Sequence, residues 1–92
     1  MNKEQATVIR NAAAKWRLKA AQLSDGNLRI VINTMIAEAE QDAIEDMRLK
    51  GTREDFIGLL RMYLSDFDPI EWLGIDEALF LRAQVWFKAQ GL

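Results

Sequence analysis

Ninety-two residues, half of them apolar and 28% charged, supply one hydrophobic core, so the chain is expected to form a single helical domain over residues 1–92. It has no cysteine, which excludes disulfides, thiolate metal ligands and a cysteine nucleophile, and no histidine, which removes the usual base near neutral pH and the commonest zinc ligand. The formal charge of −2 is unevenly spread: residues 1–23 carry five bases against one acid, residues 24–50 three against six, and residues 51–92 four against seven.

The first predicted helix covers about 3–23. Asn2 and Gln5 have the spacing of a helix cap and its reciprocal partner, and no glycine or proline follows until Gly26. At about 100° per residue, Ala6, Val8, Ile9, Ala12, Ala13, Trp16, Ala20 and Leu23 fall on one broad apolar face. Five cations border it: Lys3, Arg10 and Arg17 on one flank, Lys15 and Lys19 on the other. They are the candidates for phosphate contact, since nucleic-acid binding needs clustered positive charge. The two flanks do not make one continuous stripe, however, and cations beside a buried face commonly rest their alkyl stems on the core.

Ser24, Asp25, Gly26 and Asn27 have turn chemistry and lead into a second helix, about 27–50. Its main face is Leu28, Val31, Ile32, Met35, Ile36, Ala39 and Ala43, and Gly51 stands where a left-handed residue would cap the end. Ile30, Ala37 and Ile44, seven residues apart, form a narrow second seam on the other side. Glu38, Asp42 and Glu45 run as an acidic stripe along one border, with Glu40 and Asp46 nearby. Carboxylates at helical spacing suit a divalent cation or acid–base work, but di-iron bundles need a Glu-x-x-His pair and the histidine is missing. A solvated face is the simpler reading. The functional alternative is an anionic surface that meets basic groups on a partner.

Thr52, with Asp55 three residues on, begins a third helix, about 53–66, whose Phe56, Ile57, Leu59, Leu60, Tyr63, Leu64 and Phe67 should lie on the core. The following stretch, Asp66 to Glu77, has the outline of a calcium loop. Asp66, Asp68 and Glu77 occupy ligand positions, but Ile70 and Glu71 stand where a ligand and a turning glycine are needed. Asp68-Pro69-Ile70-Glu71 reads better as the cap of a short turn helix near 69–73. Trp72 in this joint is a candidate interface anchor. The fourth helix, about 76–90, has two apolar sides: one face of Leu79, Phe80, Ala83, Trp86 and Phe87, and a second arc of Ala78, Leu81, Val85 and Ala89.

The fold class read from these patterns is all-α, a compact bundle of four main helices that need not pack regularly. No run of apolar residues reaches the length of a signal peptide or a membrane span, so a cytoplasmic protein without membrane contact is expected. No cofactor, metal or catalytic residue is assigned, because no nucleophile is paired with a recognisable base. Two seams, Ile30/Ala37/Ile44 and Leu81/Val85, exceed what four helices readily cover, and one of them is expected to meet a partner or a second copy. The expected function is non-enzymatic: a small inhibitor or adaptor that docks on a larger protein or nucleoprotein complex. Mobile elements and phages use such proteins against host nucleic-acid machinery, CRISPR complexes included. The alternative is a small nucleic-acid-binding or regulatory protein acting through the basic first helix.

Overall fold

In the computed structural model, which describes residues 2–46, 50–65 and 74–92, four α-helices follow one another: α1 Lys3–Ala20, α2 Gly26–Glu45, α3 Arg53–Ser65 and α4 Glu77–Ala89. The described residues are helix and connecting turn, with no strand. The radius of gyration, 12.8 Å, is close to the roughly 12 Å of a compact chain this long. The short turn helix expected near 69–73, with Trp72, Phe67, Asp66 and Asp68, lies outside the described residues.

Local chemistry accounts for the helix starts. The Asn2 side chain accepts from the Gln5 amide and Gln5 Oε1 accepts from the Asn2 amide, a complete capping box. Asp25 caps α2 by accepting from Asn27 and Leu28, and Asp76 caps α4 by accepting from Ala78 and Leu79. Thr52 and Asp55 bond reciprocally at the head of α3, with aspartate in the place more often held by glutamate. Glu77, in the first turn of α4, adds negative charge at the positive end of that helix.

Two helix ends differ from expectation. α1 stops at Ala20 rather than at 23, because Gln22 and Leu23 donate to the carbonyls of Lys19 and Ala20 in tighter, three-residue bonds. The Leu23 carbonyl then accepts from Arg29 at 2.8 Å, which closes the turn. α2 ends at Glu45 rather than near 50, with Asp46 already in extended geometry. Gly51 does have positive φ, 72°, yet it serves the approach to α3 and not the end of α2.

α2 is the central helix and packs against each of the other three, while α1 also meets α3. Its Ile32, Met35, Ile36, Ala39 and Ala43 are wholly inaccessible, as are Ile9, Ala13 and Ala20 of α1, Phe56 and Leu60 of α3 and Ala83 and Phe87 of α4. α1 can lie close because its buried side chains are mostly alanine, with Ile9 and Trp16 the large insertions. Trp16 meets Trp86 edge to face at 6.1 Å between centroids and Phe87 at 5.7 Å, which joins the α1 and α4 ends of the core. Val8, expected on the core face of α1, is exposed instead, since the narrow alanine contact does not extend around to it.

Candidate functional site

Val8 and Leu18 of α1 and Ile30 of α2 are exposed, but on α4 two large exposed apolar residues, Leu81 and Val85, stand one turn apart. The inner side of α4 is held in three ways. Gln84 Nε2 donates to the Leu64 carbonyl at 2.7 Å, Arg82 makes a 2.7 Å ion pair with Asp25, and Trp86 and Phe87 stack on each other and on Trp16. Gly91, at φ 90°, turns the chain after the last helical residue, so that Gly91 donates to the Lys88 carbonyl and Leu92 to that of Phe87. This paired cap folds Leu92 back onto the core.

With the inside fixed, Leu81 and Val85 stand one turn apart on the outside, 53% and 70% exposed. An open apolar groove lies along each side of this ridge. One, about 590 Å³, runs between Arg61, Leu64, Gln84, Lys88 and Leu92; the other, about 500 Å³, is walled by Leu28, Arg82, Trp86 and Ala89. At 100° per residue Glu77, Leu81, Val85 and Lys88 fall within an arc of about 80°. The ridge therefore has an acid at its start and a base near its end.

The other expected site residues are placed as follows. Trp72 is outside the described residues. Ile30 is 64% exposed, beside a recess lined by Asn27, Thr34, Asp76 and Leu79, but Ile44 packs partly buried against the core. The α2 seam is thus divided: its two large residues do not share one open surface. Of the acidic stripe, Asp42 accepts a hydrogen bond from the Tyr63 hydroxyl, half-buried Glu38 lies near the same phenol, and exposed Glu45 accepts from Gln41 at 3.0 Å. Burial first, then the Asp42 hydrogen bond and charge, push the Tyr63 phenol far above its usual pKa. Two members of the stripe thus face α3. Among the described residues no group of three or more acids could hold a metal ion.

On α1, Lys3, Arg10, Lys15 and Lys19 are exposed, whereas Arg17 is half-buried and pairs with Glu40 of α2 at 2.8 Å. The Lys19 ammonium sits over the Trp16 ring, 4.7 Å from its centroid. These cations stay split between two flanks, and two of them have partners within the fold. No helix of the described residues is long and apolar enough to cross a membrane.

Sequence reasoning reached Leu81 and Val85 but missed the walls of their grooves. Arg61, Leu64 and Leu28 come from other helices and have no mark in the local pattern of α4. Leu92 did have one: Gly91 before it is a capping signal, and an apolar residue after such a glycine commonly folds back onto the helix it ends. Comparison of the chain with models of protein families, with curated proteins and with solved structures returns no match.

Proposed function

We propose that this chain is a non-enzymatic protein–protein interaction module, a small inhibitor or adaptor that acts by docking, with the outer face of α4 as its contact surface. The observation that supports this reading is the Leu81–Val85 ridge, two large apolar side chains left in water between two apolar grooves on a helix braced from behind. Scattered exposed apolar residues are ordinary, but a contiguous ridge and groove of this kind is characteristic of surfaces that bury against another protein. The polar groups around it, Arg61, Gln84, Lys88 and Arg82, suit a rim that excludes water and sets orientation.

The test is capture by the tagged protein, with bound chains identified by mass spectrometry, in parallel with Leu81→Arg and Val85→Glu. Both positions are exposed, so in dilute solution the variants should keep the helical circular dichroism and melting temperature of the parent. A protein retained by the parent and lost from both variants supports docking through α4. Capture that is indifferent to both substitutions places the contact elsewhere and ends this reading of the site.

A further inference from the structure

We infer that, in the absence of a docking target, the occupant of this face is a second copy of the chain, with α4 laid antiparallel on α4 of its partner. The inference rests on the reading of the α4 face as a contact surface and adds the identity and direction of what covers it. It follows from the order of side chains along the helix. Glu77 stands at the start of the exposed line, Leu81 and Val85 at its middle and Lys88 near its end, with Ala78 and Ala89 on the opposite border from Glu77 and Lys88.

A twofold axis set at the height of Ala83, perpendicular to the two helices, exchanges the ends of the line and keeps each border on its own side. Leu81 of one copy then faces Val85 of the other, so each ridge enters the groove beside its counterpart. Glu77 lies roughly 9 Å along the helix from that axis and Lys88 roughly 7.5 Å on the other side, at a rise of about 1.5 Å per residue. The exchange therefore brings Glu77 beside the partner's Lys88 on one border, twice over. On the other border Ala78 meets the partner's Ala89, and two small side chains let the helices approach.

Charge at the helix ends favours the same direction. Lys88 stands near the C-terminal end of α4, in a groove that Arg61 also lines, whereas Asp76 and Glu77 stand at its N-terminal end. An antiparallel pair sets the cationic end of each copy against the anionic end of the other, while a parallel pair would set like on like. One helix per copy makes a contact at the small end of stable interfaces, so the pair should dissociate in the micromolar range.

Light scattering on size-separated full-length protein, between about 5 and 500 µM, tests the pairing directly. The molar mass should rise from one chain towards two, and Leu81→Arg should hold it at one. Glu77→Lys and Lys88→Glu should each raise the dissociation constant roughly tenfold, since each replaces two attractive pairs with two repulsive ones. The double variant Glu77→Lys/Lys88→Glu should return to within about threefold of the parent, because both pairs are remade with their signs exchanged. Its recovery cannot come from a better fold, for both changes oppose the dipole of α4. A parent that stays monomeric throughout, or single charge variants that bind like the parent, would overturn the antiparallel pair. If the parent is monomeric while Leu81→Arg still releases a captured protein, the α4 surface stands and the second copy does not; if neither effect appears, both readings fall.

Discussion

Tyr63 is the only tyrosine in the chain, buried under α2 with its hydroxyl donating to Asp42. An isolated phenol would lose its proton near pH 10, but here burial and the neighbouring carboxylates hold the proton on. The folded pKa is raised above the unfolded one, so the stabilisation is complete below the ordinary phenol range and is lost as pH rises beyond it. Phenolate absorbance should therefore appear in step with loss of helical circular dichroism during an alkaline titration. Phenolate forming near pH 10 with the helices intact would show the hydroxyl to be open to water. Tyr63→Phe should destabilise by about 1–2 kcal/mol in urea, because half-buried Asp42 loses a donor. The acidic stripe thus has a folding role that its helical spacing could not disclose, since the residue it meets is twenty-one positions away.

At the scale of elements, the approach to α3 is a tight joint. Gly51 is buried against the first turn of α1, and a Cβ there would lie 2.3 Å from Gln5 Cβ and 2.7 Å from its Cγ. Gln5 Nε2 also donates to the Lys50 carbonyl at 3.1 Å, so one glutamine closes its own helix cap and clasps this strand of backbone. Gly51→Ala combines a left-handed φ with a collision, and should destabilise by at least about 2 kcal/mol in a thermal or urea melt. An alanine variant as stable as the parent would mean that the joint is free to move away from α1. A left-handed Gly51 is the expected end cap of the second helix; its positive φ is present, but its contact with Gln5 has no mark in the sequence. Helix starts were legible for a related reason: Asn2, Asp25, Thr52 and Asp76 cap through bonds that span two or three residues. Helix ends were less so. Neither Ala20 nor Glu45 is followed directly by a glycine or proline, and α1 ends through backbone geometry and a distant Arg29, which leave no local signature.

Over the whole molecule, apolar residues divide into those that hold the fold and those that the fold leaves over. Helical period alone placed the core of α2 correctly, residue for residue, because a central helix surrounded by three others buries one complete face. The same period on α4 yielded two apolar arcs, the second of them a candidate contact seam, and burial separates them: Phe80, Ala83 and Phe87 are inside, Leu81 and Val85 outside. Stability should follow the same division. Ile36 is inaccessible at the centre of a helix that touches all the others, so Ile36→Ala should remove about 2–4 kcal/mol, a large share of the roughly 5–14 kcal/mol expected for a domain this long. Leu81→Ala deletes as much side chain, yet at protein concentrations low enough to keep the chains apart it should change stability by no more than about 0.5 kcal/mol. Urea melts of the two variants, followed by tryptophan fluorescence and circular dichroism together, compare them directly. If Leu81→Ala proves as damaging as Ile36→Ala in the dilute monomer, then Leu81 belongs to the core and the ridge is no docking surface. If it is harmless there but lowers the melting temperature once the protein is concentrated, the side chain is serving association, because only a bound state would then depend on it.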